Sequence, residues 1–206
     1  KIYVIPNCID ITKYRKNHFN KNLLQTYQRD KFDCIAFFHG TLSYYPNYEA
    51  ARIIIRKIAP QVKDCLFLIA GKDCPLSLIR EAKKVGNVRI LGYVENIEDY
   101  LALSDVYVAP IRRGSGTRIK ILEAMAFGKP VVATSKAVEG LDVKNGIHGL
   151  FCNDIDKEFV INIRRVLKDQ ELANRLEENA RKLAENYDYR IISRKLQKIY
   201  EEVLRK

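Results

Sequence analysis

Through the middle of the chain, short apolar runs alternate with stretches whose apolar residues return every three or four positions. The runs are "CIAFFHG" (34–40), "CLFLIAG" (65–71), "VRILGY" (88–93), "DVYVAP" (105–110) and "PVVAT" (130–134), with "GLFC" (149–152) a shorter sixth. A strand with one wet face alternates apolar and polar residues. These runs are nearly continuous, which predicts burial on both faces, as in a parallel sheet covered by helices. Between them, "PNYEAARIIIRKIAPQV" sets Tyr48, Ala51, Ile55 and Ile58 at helical spacing. "PLSLIREAKKV" predicts a short amphipathic helix, and "NIEDYLALS" another with Asn96 as its N-cap. After residue 154 the pattern is helical throughout, in "DKEFVINIRRVLKD", "QELANRLEENARKLAEN" and "YRIISRKLQKIYEEVLRK". The rhythm predicts an α/β domain: a doubly wound parallel sheet of about six strands, closed by C-terminal helices. Residues 10–31 are polar and basic and predict a loop with a short helix around "LLQTYQ". No linker, repeat or low-complexity tract interrupts residues 1–206, which read as a single domain.

Composition changes this picture little. The chain has 206 residues, 47% hydrophobic and 30% charged, enough for one substantial core. No apolar run approaches the roughly 20 residues that a membrane-spanning helix needs. The opening "KIYVIPN" is too short and polar for a signal peptide and reads as a start inside a longer protein. A net charge of +11 favours anionic partners, but the basic residues are interleaved with acids, so a solvated basic surface accounts for much of it. No reading helix or aromatic–basic interleaving points to nucleic acid. The five cysteines, Cys8, Cys34, Cys65, Cys74 and Cys152, form no C-x-x-C pair. They predict a reducing, cytoplasmic setting and no zinc site. His18, His39 and His148 are far apart in sequence, and no metal ligation is expected of them.

Candidate chemistry gathers on one loop. In an open parallel sheet, ligands bind beyond the carboxyl ends of the strands, where strand order reverses. Gly40–Tyr45, Gly71–Asp73, Gly92–Val94 and Pro110–Thr117 all follow strand ends. The last of these opens "RRGSGTRIKILEAMAFG". Gly114 and Gly116 allow close backbone approach, and the helix that follows offers unpaired N–H groups to an anion. Ser115 or Thr117 would cap that helix or bind a phosphate oxygen, while Arg118 and Lys120 add full charges. The loop is neither a Walker loop nor the G-x-G-x-x-G fingerprint. Glu123 follows on the second helical turn, where a carboxylate can accept from paired ribose hydroxyls. An i,i+3 ion pair with Lys120 is the alternative use for it.

The segments "VIPNCID", "FFHGTLSYYPN", "LGYVENIEDYLALSDVYVAPIRRGSGTRIKILEAMAFGKPVVAT", "VEGL" and "NGIHGLFC" resemble, in order, the C-terminal half of retaining family-4 glycosyltransferases of the GT-B fold. The resemblance spans almost the whole chain, and the "LEAMAFGKPVVAT" block is highly specific. It implies a Rossmann-like domain that binds a UDP-, GDP- or ADP-linked sugar. The acceptor, a glycan or a lipid-linked glycan, would be held mainly by an N-terminal domain absent from this chain, so the isolated domain is expected to be inactive. Helical residues 190–204 would include the segment that packs on that half. The resemblance makes Glu123 the second acid of the family's Glu-x7-Glu motif, on the ribose. The first acid would fall at Ser115, where this chain departs. It also departs where "GTLSYYPN" replaces an Arg…Lys pair after the first strand. Some members carry a "GSGTRxK" loop like this one, and Arg118 and Lys120 would then serve as catalytic groups that meet the diphosphate charge without a metal. Gly40 and Thr41 would line the diphosphate, Tyr93 and Val94 the base, and Glu139 the sugar, unless Glu139 is a solvated loop acid. Basic residues in 10–31 and 190–206 would suit the cytoplasmic face of an anionic membrane. An epimerase of the same architecture is the alternative enzyme, and a basic nucleic-acid-binding module the remaining one.

Overall fold

The computed structural model describes residues 2–14, 23, 26, 27, 31–116, 118–155 and 157–204. Six strands form one parallel sheet: β1 (Cys34–His39), β2 (Cys65–Ala70), β3 (Val88–Gly92), β4 (Val106–Ala109), β5 (Val131–Thr134) and β6 (Leu150–Cys152), in the order β3-β2-β1-β4-β5-β6. This is the Rossmann-like sheet expected from the continuous apolar runs. Every residue of β1, β2, β4, β5 and β6 is buried, because helices cover both faces. The strand order reverses between β1 and β4, which pair through Ala36–Val106 and Phe37–Tyr107.

The helices are α1 (Tyr45–Ile53), α2 (Leu76–Ala82), α3 (Ile97–Leu103), α4 (Ile119–Ala126), α5 (Lys157–Lys168), α6 (Gln170–Glu185) and α7 (Tyr189–Leu204). The pattern over 46–62 predicts one helix, but α1 passes into a wider π turn at Ile54–Ile58 and a 3-10 turn at Ala59–Gln61. Pro60, which has no N–H to donate, stands in that last turn. The widening still buries Ile54, Ile55 and Ile58. Asn96 stands at the N-cap of α3 as expected, but its side chain makes no capping hydrogen bond. Asp169 does cap α6, accepting from Leu172 N at 2.9 Å. Cys34 and Cys65 face each other across β1 and β2 as buried free thiols, consistent with small core residues.

The N-terminal segment is tied to the start of α7. Ile9 N donates to Tyr187 O at 3.0 Å, and Tyr189 N donates to Ile9 O at 2.9 Å. Asp188 accepts from Ile11 N at 3.3 Å and from the Arg190 guanidinium at 2.6 and 2.7 Å. This anchor leads into a 3-10 turn, Ile11–Tyr14, whose last residue reaches α4. Of the helix expected around "LLQTYQ", Leu23 and Thr26 are helical, Tyr27 is in a turn, and Leu24, Gln25 and Gln28 lie outside the described residues.

Candidate functional site: the cleft above β1 and β4

The carboxyl ends of the strands are stitched together by backbone bonds. Gly40 N donates to Ala70 O at 3.0 Å, Leu42 N to Lys72 O at 2.9 Å and Gly71 N to Gly92 O at 2.7 Å. The loop after β4 then leads into α4. Its helical bonding begins at Ile119, so the N-cap position belongs to Arg118 rather than to Ser115 or Thr117. Ser115 is exposed, and Thr117 lies outside the described residues. Arg118 folds back under the loop: Nη2 donates to Arg113 O at 3.0 Å, while Nε is buried without a hydrogen-bond partner. Gly114, at φ +99°, makes room for this, since a Cβ there would stand 2.6 Å from Arg118 Nη2. Gly116 also takes a positive φ, and Arg112 and Arg113 are exposed at the mouth of the loop.

Helix α4 buries Ile121, Leu122, Ala124, Met125 and Ala126, and Lys120 and Glu123 remain one turn apart on its other side. They do not pair with each other. Lys120 Nζ donates to Asn47 Oδ1 at 2.6 Å and lies 5.0 Å above the centre of the Phe38 ring. Asn47, buried on the first turn of α1, donates in turn to Thr41 O at 2.9 Å. Gly40 gives this amine its place: a Cβ there would stand 2.3 Å from Lys120 Nζ and 2.7 Å from Asn47 Nδ2. Burial, with the charge of Arg118 adding to it and Glu123 opposing, pushes the Lys120 amine down to about 7. Asn47 takes one of the three donors that the ammonium carries.

Glu123 is held from two sides. Tyr14 OH donates to Oε1 at 2.9 Å, and His39 Nε2 lies 2.9 Å from Oε2. The other ring nitrogen of His39, Nδ1, is 3.2 Å from Tyr107 OH. Burial would push the Glu123 carboxyl up. The hydrogen bonds from His39 and Tyr14 and the charge of Lys120 outweigh it and hold the group below the usual carboxylate range. Burial also lowers the imidazole of His39 despite the carboxylate beside it, so at neutral pH it is uncharged. Tyr14, Asn47 and Tyr107 were not among the expected site residues, and His39 was considered only as a metal ligand. Asn47 follows a proline in "YYPN", and His39 ends an apolar strand just before a glycine. Those are the two signals that could have pointed to them.

A diphosphate-sized anion could therefore meet Lys120, the α4 N-terminus and the Arg118 loop, with an ionised carboxylate one turn deeper. This chemistry sits at the reversal of strand order. Residues 33–169 match the family model described as Glycosyl transferases group 1, two thirds of the chain. The chain belongs to this family. It is 30% identical over 186 residues to the putative glycosyltransferase YtcC of Bacillus subtilis, covering 82% of this chain and 46% of that protein. It is also 30% identical over 142 residues to the N,N'-diacetylbacillosaminyl-diphospho-undecaprenol alpha-1,3-N-acetylgalactosaminyltransferase of Campylobacter jejuni, covering 67% of this chain and 37% of that protein. Among solved structures, Anabaena Alr3699/HepE in complex with UDP-glucose superposes with a TM-score of 0.78 at 19% identity, covering 97% of this chain and 57% of that one. The chain thus spans about half the length, or less, of the curated relatives it matches. Its fold is that of the C-terminal domain of GT-B glycosyltransferases.

The other expected residues of this glycosyltransferase domain are less engaged. Gly40 and Thr41 lie in the Lys120–Asn47 network just described. Gly92 turns at φ +72° and leaves Tyr93 exposed, with Val94 half-buried against the core. Glu139 pairs with Lys136 at 2.5 Å on the surface, as a solvated loop acid would. Among the described residues, no group of three His, Cys, Asp or Glu side chains gathers in a metal-binding arrangement, and no helix is long and apolar enough to cross a membrane.

Proposed function

We propose that the chain binds the donor in a retaining glycosyltransferase that takes a nucleoside-diphosphate sugar and transfers the sugar to a glycan or lipid-linked acceptor held mainly by an N-terminal domain. The observation that carries this reading is the position of Lys120. Its amine stands at the α4 N-terminus, between Gly40, Asn47 and the Phe38 ring, one turn from Glu123. A donor diphosphate would accept from the two remaining ammonium donors and from the first amides of α4. Glu123 has four lone-pair sites, and Tyr14 and His39 take two of them. Its side chain is 22% exposed, which leaves the others for ribose hydroxyls.

In the reaction, the bond from the anomeric carbon to the diphosphate oxygen breaks and negative charge gathers on the leaving group. Donors already aimed at that charge lower the barrier, each by roughly 3–4 kcal/mol. Lys120, Arg118 and the amides of the glycine loop would do this here in place of a metal ion. Two relatives support the substrate classes: HepE forms a complex with UDP-glucose, and the Campylobacter enzyme is named for a diphospho-undecaprenol acceptor. A lipid-linked acceptor would suit the chain's net charge of +11 at the cytoplasmic face of an anionic membrane. On this reading the 206-residue chain binds donor but does not turn it over alone. A thermal-shift screen with UDP, GDP, ADP and their sugar conjugates tests it. A ligand at 100 times its dissociation constant stabilises by about 2.7 kcal/mol. A flat response to all of them would remove the donor assignment.

A further inference from the structure

We infer that His39, fixed by Tyr107, is a positioning residue that aims the Glu123 carboxylate at the hydroxyl pair of the donor ribose. The inference rests on the donor reading above and adds to it how the carboxylate is held. A glutamate side chain turns about three single bonds, and helix α4 by itself does not choose among its rotamers. His39 restricts that choice. It is the last residue of β1, 8% exposed. Its ring stacks on Phe37, with centroids 5.5 Å apart at 22°, and meets Tyr107 edge-on at 5.5 Å and 67°.

The proton order along the chain of groups follows from valence. A carboxylate only accepts, so the nitrogen facing Glu123 Oε2 must be N–H. A neutral imidazole then has its lone pair on Nδ1, and the facing Tyr107 hydroxyl must donate to it. Tyr107 is fully buried, and burial keeps its phenol protonated. The carboxylate therefore sets the tautomer, Tyr107 stabilises it by donating to Nδ1 and fixes the ring, and the ring N–H so held orients Glu123. Tyr14 closes the arrangement from the other side through Oε1. Without His39 only Tyr14 would hold the carboxylate, which could then turn toward Lys120, one turn away, and so neutralise the charge meant for the diphosphate.

The test compares binding of ribose and 2′-deoxyribose forms of UDP, GDP and ADP to the whole chain by calorimetry. The parent should prefer the ribose form of whichever nucleotide it binds by about tenfold or more, the worth of a hydrogen bond to a charged group. Glu123→Gln should remove most of that preference. His39→Phe, which keeps a ring in the slot but no donor, should remove it to a similar degree. His39→Gln, which restores an N–H, should recover at least half of it on a logarithmic scale. Tyr107→Phe should fall between parent and His39→Phe, and it decides the matter if His39→Phe does not fold. Loss in Glu123→Gln with full preference kept in Tyr107→Phe and in His39→Phe would overturn the inference while leaving the donor reading intact. Preference unchanged in Glu123→Gln would overturn the ribose assignment itself, and no binding of any of the three diphosphates would overturn the donor reading.

Discussion

Replacing Lys120 by Met should abolish a proton that the site takes up when it binds a nucleoside diphosphate. In the free chain, burial and the Arg118 charge hold the amine at about 7, against 10.5 for an ordinary lysine. Diphosphate oxygens on its spare donors would favour the ammonium and return it toward that ordinary value. At pH 8 about one tenth of the free amines carry a proton and nearly all of the bound ones would, an uptake of about 0.9 protons per ligand. Between pH 7 and 9 the apparent affinity should fall about 50-fold, or about 2.3 kcal/mol. Calorimetry in buffers of different ionisation enthalpy reads both quantities. Lys120→Met should bind more weakly at pH 7, take up no proton and show no slope above that pH. Binding by the parent without uptake, or uptake retained in Lys120→Met, would refute the reasoning. In the unliganded chain the same shift opposes folding. The folded value lies below the unfolded one, so the cost is full below pH 7 and fades as pH rises toward 10.5. Urea unfolding should show the parent gaining on Lys120→Met across that window.

On the donor reading proposed above, in which the guanidinium serves the phosphate side of the cleft, Arg118→Ala should weaken UDP by about tenfold or more and uridine hardly at all; equal losses in calorimetry would move Arg118 to a purely structural role. Gly40→Ala puts a methyl 2.3 Å from Lys120 Nζ at φ +151°, so both the amine and Asn47 must move. It should cost about 1–3 kcal/mol in urea unfolding and most of the diphosphate affinity, and parent-like values for both would show that the amine has room. Asp188→Ala removes the acceptor that ties Ile11 and Arg190 together and should speed hydrogen exchange over 9–14. The Arg190 guanidinium holds the Asp188 carboxyl well below the usual range. Its contribution to stability is therefore full above the unfolded value of 3.8 and is lost as pH falls through the lower folded one, so a stability difference that did not shrink in acid would contradict this anchor.

The fold was legible because its signal is simple. A strand buried on both faces carries few polar residues, so Ile35–Phe38 and Leu66–Ala70 are apolar without interruption, and glycine follows β1 and β2. Helix identity was also legible, but not the π widening after Ile53, because the apolar residues there satisfy either winding. At the site, Lys120 and Glu123 stood out as charges on an otherwise apolar helix. Their partners did not. Asn47 lies 73 positions from Lys120, and His39 lies 84 from Glu123. Both pairs form only because β1 and β4 are neighbours, and adjacency in the sheet is not written in local spacing. Tyr14 is more distant still, 109 residues from Glu123, and arrives by way of the anchor at Asp188. Of the two residues expected to cap α4, Thr117 lies outside the described residues and Ser115 stands three positions before the N-cap, Arg118, because helical bonding starts only at Ile119.

The central claim is that the cleft above β1 and β4 holds a nucleoside diphosphate. Titrating UDP, GDP and ADP into the isotopically labelled chain, with amide resonances followed by NMR, tests it most directly. The account expects at least one of them to shift the amides of Gly40–Asn47 and of Gly114–Glu123 together, with the matching nucleoside shifting the first set far less. No shift with any of the three at millimolar concentration, or shifts confined to the groove beside β3 lined by Ile79, Lys83 and Arg89, would contradict it.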